Sequence, residues 1–365
     1  MVVPAVQLRG EDAPRLADDL ELEGIELSLE RQKEAFKRRR MSGSLTIGGN
    51  KYKLSIIEKT LKAFEKEVKR IKKCFKNGPQ ETCWDEFNTR LKERFDFYRP
   101  IVKQKDGRRP GLAPGQKDFA HFTGYYSPTI KGSLKKTQEF PFAIYTKPKS
   151  ERERKYTREQ IIFENKLEGK GLNLFYIKDL FDLYLLHLEG GGRVVIDTDE
   201  GPKTFYLSYQ AHNSNKFTFI SKYMVKKGMI DDYSIDSQRR YIEAHPERWR
   251  EIFTFCPGYI YFTITKTEPL GLEDIPLTQN RSLAQDRSIY KRKGILAFVR
   301  TMRPERDGQG KPSMKSYSRF YLDQDTGSAI KGEARADLYF GYGPEAELSA
   351  NTMNEKGEIF FLITK

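Results

Sequence analysis

The most regular stretch of the chain begins at Leu54. Leu54, Ile57, Leu61, Phe64, Val68, Ile71 and Phe75 recur at alternate steps of three and four. That spacing gathers one apolar stripe and predicts an amphipathic helix. Asn77-Gly78-Pro79 supplies its stop. Trp84, Phe87, Leu91 and Phe95 repeat the pattern, so a second helix and a helical hairpin are expected. Residues 1–50 show weak periodicity and read as an extended or poorly ordered lead-in.

From residue 120 the texture changes to short β-rich runs divided by Gly, Pro and Asn. Strands are expected at 121–126, 140–146, 183–188, 192–197 and 204–209. A helical interlude spans about 216–251, and strand signals return at 258–265, 294–300, 317–323 and 358–364. This is the pattern of a β-barrel or sandwich. No internal repeat breaks the chain into modules.

With 365 residues the chain can form two domains or one large one. No apolar run is long enough for a membrane-spanning helix. The opening residues lack the basic head and apolar stretch of a secretion signal. The formal charge of +14 suggests an anionic partner. Much of the excess lies between Arg31 and Lys76, densest at Lys37-Arg38-Arg39-Arg40, which reads as solvated surface. No nucleic-acid motif accompanies it, so nucleic acid is not an expected partner. The three cysteines form no CxxC pair and the four histidines no HxxxH spacing, so no metal is expected. Cys74 and Cys83 flank the hairpin turn; a disulfide and two free thiols are both compatible with that position.

Three aspartates stand out in the last third: Asp286, Asp325 and Asp337. Glycines and short β-runs surround them, so loops on a barrel rim could bring them together. Glycoside cleavage needs an acid for the leaving oxygen and support for an oxocarbenium-like centre. A carboxyl near other carboxylates, or poorly solvated, keeps a proton near neutral pH. Tyr125, Tyr126, Tyr209, Tyr339 and Phe340 would suit the apolar faces of sugars. On spacing alone, turn capping explains the same aspartates. Asp325-Thr326-Gly327 matches the aspartic protease triplet, but those enzymes need two, and no second occurs.

The ordered motifs resemble the membrane-bound lytic murein transglycosylase A family. Phe122-Thr123-Gly124-Tyr125-Tyr126-Ser127-Pro128 is similar to its FTGYYTP segment, and Glu139 to Tyr145 to its EFQYPIY strand. Leu188 to Arg193 stands where the family has a QGSG turn. Ile275-Pro276-Leu277-Thr278 with Arg281-Ser282-Leu283-Ala284 resembles VPLTPGRSLA. Asp325 to Gly332 resembles DTGGAIKG, and Asp337 to Ala346 resembles DIYQGIGPEA. The likeness runs from about residue 120 to the C-terminus.

The resemblance implies a mainly β fold with a helical N-terminal part. A double-psi β-barrel domain (residues 1–127 plus 264–365) would be interrupted by a smaller β-barrel-like domain (128–263), with a substrate groove between them. It implies a lytic transglycosylase that cuts the β-1,4 bond between N-acetylmuramic acid and N-acetylglucosamine, leaving a 1,6-anhydro product. Asp337 would be the catalytic acid and base, supported by Asp325, Asp286 and Lys331. Thr123, Tyr125, Tyr126, Glu189, Gly192, Tyr209, Asn213, Tyr339 and Phe340 would bind glycan. No cofactor is implied. The implied partners are peptidoglycan strands and other cell-wall enzymes, and the implied setting is the periplasm at the outer membrane, as a monomer. An inactive peptidoglycan-binding protein and a hydrolytic muramidase are the alternatives.

The chain also departs from the family. The QGSG glutamine is Glu189, and YAGKNGHPYRS is reduced to Tyr209, Asn213 and the aromatic at Phe217. The family's Pro-Gly turn after the first aspartate reads Lys291-Arg292-Lys293-Gly294, whose cations are expected to be exposed.

Overall fold

Weak periodicity in the first fifty residues conceals regular structure. In the computed structural model, which describes residues 1–9, 12–39, 41–101 and 119–365, they form β1 (Val2–Val3), β2 (Ala5–Leu8), helix α1 (Ile25–Arg38), β3 (Ser44–Ile47) and the start of β4 (Asn50–Lys53). The buried side of α1 is Ile25, Ser28, Leu29, Gln32, Ala35 and Phe36. Two of the six are polar, which hides the helical period from a hydrophobicity reading. Both meet a third polar side chain inside: the Ser28 hydroxyl donates to Gln324 Oε1 at 3.1 Å, and Gln324 Nε2 donates to Gln32 Oε1 at 3.3 Å. Lys37, Arg38 and Arg39 are exposed at the end of α1, and Arg40 lies outside the described residues.

The expected hairpin is α2 (Ile56–Phe75) and α3 (Gln80–Arg94), followed by β5 (Phe95–Pro100). Phe95 begins a strand instead of ending a helix. The stripe Ile57, Leu61, Phe64, Val68 and Ile71 is buried. Burying each such side chain contributes about 1.5–3 kcal/mol. Cys74 and Cys83 are disulfide-bonded across the turn, with Cα atoms 5.7 Å apart. After β6 (Ala120–Tyr125) the chain leaves this unit and returns to it at Gly271.

Residues 126–270 and 342–347 form the second unit. Its elements are β7 (Thr129–Ser133), β8 (Phe142–Tyr145), α4 (Glu151–Arg154), α5 (Arg158–Ile162), β9 (Asn173–Ile177), α6 (Leu180–Glu189), β10 (Gly191–Thr198), β11 (Gly201–His212), α7 (Ile220–Lys226), α8 (Ile235–Ala244), α9 (Trp249–Thr254) and β12 (Ile260–Thr265). The six strands run in the order β12-β11-β10-β7-β9-β8. The Tyr259 hydroxyl donates to the Ala143 carbonyl at 3.4 Å, and Tyr145, Tyr259 and Tyr261 share one apolar cluster. The two end strands thus curl towards each other, barrel-like.

The strand expected at 183–188 is instead the helix α6. Leu180, Phe181, Leu183, Tyr184, Leu185, Leu186 and His187 are all buried, so no polar face marks the 3.6-residue period. The caps do mark it. The Asp179 carboxylate accepts from the Phe181 and Asp182 amides, and Gly190 ends the helix at φ 74°.

The first unit is completed by β13 (Ser282–Gln285), β14 (Leu296–Arg306), β15 (Pro312–Asp325), β16 (Arg335–Tyr339), α10 (Pro344–Thr352, its last residues) and β17 (Asn354–Thr364). Strands β14, β15, β13, β16, β6 and β17 are hydrogen-bonded in that order, and β17 pairs back onto β14. The ring is therefore closed. Its β13–β15 and β16–β6 pairs are parallel and the others antiparallel. This is the double-psi β-barrel expected, with β5 and β2 added outside β17.

Candidate active site

Four neighbouring barrel strands carry the chemistry. Ala284 on β13 pairs with Asp325 of β15 on one side and with Asp337 of β16 on the other; Asp337 pairs with Thr123 of β6. Side chains in register across a sheet face the same way. Asp325, Ala284, Asp337 and Thr123 therefore form one row, with the small Ala284 methyl between two carboxylates. The loop placement read from the sequence is corrected here. Asp337 lies in mid-strand and Asp325 at a strand end, and only Asp286 stands in a turn.

Asp337 is half-buried. The Thr123 hydroxyl donates to its Oδ1 at 2.5 Å, and Arg335 Nη2 donates to the Thr123 oxygen at 2.6 Å. Burial pushes the Asp337 carboxyl above its ordinary range, against the opposing pull of Thr123, Arg335 and His121. Arg335 is a residue that the sequence reading missed; it lies two positions before Asp337 on the same face of β16, a period-two signal that was available.

Asp325 accepts from the Tyr125 hydroxyl at 2.9 Å. Burial pushes its pKa up to about 6, and the charge of Asp337 adds to this; the Thr326 amide, the Tyr125 hydroxyl and the Lys293 ammonium oppose it. Burial beside Asp325 raises the Tyr125 phenol well above its usual value, so that it stays a donor. Its ring tilts against Tyr339 with centroids 5.1 Å apart.

Asp286 is a clasp for the segment ahead of β16. It accepts from the Ser288 amide at 2.9 Å, the Ser288 hydroxyl at 2.8 Å and the Gly332 amide at 2.9 Å. Burial acts to raise its pKa, yet these donors and Lys331 together hold it below the usual range. Lys331 Nζ is 3.9 Å away on an exposed side chain. Asp286 thus fixes the Lys331 loop and is not among the groups that raise Asp337.

The turn at Lys291–Gly294 departs from expectation. Lys293 is fully buried and pairs with the equally buried Asp323 at 2.8 Å, two residues before Asp325. Arg292 pairs with Glu273 at 3.4 Å, and only Lys291 is exposed. Burial pushes Asp323 up to about 7 despite the ammonium beside it.

The expected glycan contacts divide sharply. Tyr125 is half-buried and Tyr209 is 49% exposed, so both can present ring to a ligand. Tyr339 and Phe340 are fully buried, and Phe340 packs so closely on Gly124 that a Cβ there would meet its ring at 2.3 Å. Tyr126 is also buried: its amide donates to Glu189 at 3.3 Å and its hydroxyl to Glu347 at 3.1 Å. Glu189 is the last residue of α6, not part of an open turn. A Cβ on Gly192 would meet Leu186 at 2.5 Å and the Pro128 carbonyl at 2.8 Å, so internal packing alone demands glycine. Asn213 is fully buried; its amide donates to the Tyr156 and Pro257 carbonyls and its oxygen accepts from the Asn215 and Tyr259 amides. It braces a loop and has no bonding capacity left for a sugar. Among the described residues, no group of three or more His, Cys, Asp or Glu is arranged to hold a metal ion.

Comparison with known proteins fits this arrangement. Residues 121–263 match the family model for the MltA specific insert domain, and residues 281–363 match that for the 3D domain. Membrane-bound lytic murein transglycosylase A of Escherichia coli K12 is 32% identical over 248 residues, 67% of this chain and 65% of that protein. The protein of the same name from Vibrio cholerae is 30% identical over 246 residues, 66% of this chain and 64% of the relative. The chain thus spans just under two thirds of these curated relatives. E. coli MltA with bound chitohexaose superposes with a TM-score of 0.71 at 22% identity, covering 99% of this chain and 94% of that one. Membrane-bound lytic murein transglycosylase from Agrobacterium tumefaciens gives 0.69 at 20% identity, covering 99% and 98%. These two likenesses show a shared fold.

Proposed function

We propose, from the premise that this chain belongs to the membrane-bound lytic murein transglycosylase A family, that it cleaves peptidoglycan by lytic transglycosylation with Asp337 as its acid and base. The observation that carries the reading is the row Asp325–Ala284–Asp337–Thr123. It sets one half-buried carboxyl of raised proton affinity beside a donor that holds its orientation.

Protonated Asp337 gives its proton to the oxygen bridging N-acetylmuramic acid C1 and N-acetylglucosamine C4, and the C1–O bond breaks. The muramic C6 hydroxyl attacks C1, and the Asp337 carboxylate takes the hydroxyl proton. The enzyme is restored, and the products are a 1,6-anhydro-muramic end and a free C4 hydroxyl. Because the nucleophile is tethered to the sugar, no enzyme nucleophile and no second base holding water is required. Asp325 places negative charge next to the carbon that becomes cationic, and Tyr125 orients it. Asp286 holds the Lys331 loop. Tyr125 and Tyr209 are the candidate ring platforms.

In this reading residues 1–127 plus 264–365 form the catalytic domain, and 128–263 the inserted one. The substrate places the protein in the bacterial envelope, facing the periplasm at the outer membrane. No helix among the described residues is long and apolar enough to cross a membrane. The test is mass spectrometry of digested sacculi: anhydro ends support the reading, reducing muramic ends make the enzyme a hydrolase, and binding without product makes it a binding protein.

A further inference from the structure

Helix α2 carries a second pattern opposite its apolar stripe. Lys59, Lys62, Lys66, Lys69, Lys73 and Lys76 follow one another at alternate steps of three and four, and all six are exposed. The last is the helix C-cap. At 1.5 Å per residue the line is about 25 Å long. Glu58 pairs with Lys62 at 2.6 Å and Glu65 with Lys69 at 3.0 Å. Among the described residues, Lys59, Lys66, Lys73 and Lys76 form no ion pair.

Like charges three and four residues apart destabilise a helix, and alternating signs would support it. An unbroken lysine row is therefore not what a merely solvated face would favour. The flanking helices expose carboxylates among their own cations. Next to α2, α1 exposes Glu26, Glu30 and Glu34, and α3 exposes Glu81, Asp85, Glu86 and Glu93. A broad anionic plane resting on α2 would meet these carboxylates as well as the lysines. A linear polyanion along the ridge would meet the six lysines, two of them shared with Glu58 and Glu65. Lysine is a mobile point charge without the fixed fork of arginine, which suits carboxylates spaced along a flexible chain.

We propose that the exposed ridge of α2 is a docking surface for a peptidoglycan strand, gripping the carboxylates of its stem peptides apart from the catalytic row. The proposal rests on peptidoglycan being the substrate. Its action is to hold insoluble multistranded wall against the enzyme, so it affects sacculi and leaves short soluble glycans untouched.

The test is the triple variant Lys59→Ser/Lys66→Ser/Lys73→Ser in the full chain. At low salt its retention on intact sacculi falls about tenfold, and wild-type retention falls steeply as salt is raised, as charge-driven polymer binding does. Its thermal midpoint and its turnover of short soluble glycan strands match wild type. Sacculi whose carboxylates are chemically amidated retain wild type as poorly as untreated sacculi retain the variant. Wild-type retention of the triple variant, or full wild-type binding to amidated sacculi, overturns the proposal. So does ridge-dependent binding to anionic vesicles or DNA without binding to sacculi. A wild-type protein that releases no anhydro product would overturn the proposed reaction, and is read separately from retention.

Discussion

Replacing Thr123 by Val keeps shape and removes one hydroxyl from the row that carries Asp337. In the native site that hydroxyl donates to Asp337 at 2.5 Å and accepts from Arg335 at 2.6 Å. A hydrogen bond to a charged group contributes about 1.5–3 kcal/mol, and one pKa unit corresponds to about 1.4 kcal/mol. The carboxylate of Asp337 alone loses this support, so its pKa, already raised by burial, should climb by a further one to two units or so. In the proposed reaction the acid starts protonated, so activity should fall as pH rises through that pKa. The alkaline limb of kcat/KM for anhydro product should therefore move to higher pH in Thr123→Val. Arg335→Met, which removes a cation that stabilises the same carboxylate, should move it in the same direction. An unmoved limb, or one moved to lower pH, would refute the reasoning. A fall in rate with unchanged pH dependence would show that Thr123 acts only on packing.

Other consequences follow from buried charge. Asp325 has its pKa raised to about 6 in the folded protein; its contribution to stability is present below the unfolded value and lost as pH rises through about 6. Asp325→Asn should thus stabilise the fold above pH 6, by about 2–3 kcal/mol, and leave it unchanged near pH 3, as urea titration at the two pH values will show. Lys293→Met strands Asp323 in the interior and should cost about 3–5 kcal/mol, whereas Lys293→Met with Asp323→Leu should fall close to wild type. Reducing the Cys74–Cys83 bridge, or replacing both residues by Ser, should lower unfolding stability by about 2–3 kcal/mol in denaturant.

The helical hairpin was legible because apolar residues keep every step of three and four along α2 and α3, although Thr60, Glu67 and Asn88 are buried beside them. Helix α1 was not, because Ser28 and Gln32 stand in its buried face and take their partners from Gln324, almost three hundred residues away. The helix α6 was mistaken for a strand because it is buried all round, and its capping residues Asp179 and Gly190 were the better guide. At the site, motif order drew attention to Asp337, but only strand register could show that Ala284 separates it from Asp325. Burial was the quantity least visible in sequence. Tyr339, Phe340, Tyr126 and Asn213 look like ligand contacts as residue types, yet the fold uses them as core and bracing. Lys293 looks like surface and is interior, because its partner Asp323 comes from a distant strand.

The central claim is that Asp337 alone performs both proton transfers on a peptidoglycan strand. Its most direct test is mass spectrometry of sacculi digested by wild type and by Asp337→Asn, a change that keeps the side-chain shape and removes the titrating proton. Wild type should release 1,6-anhydro-muropeptides, and a folded Asp337→Asn protein that still binds sacculi should release none. Anhydro products from the variant at a rate near wild type, or reducing muramic ends from wild type, would contradict it.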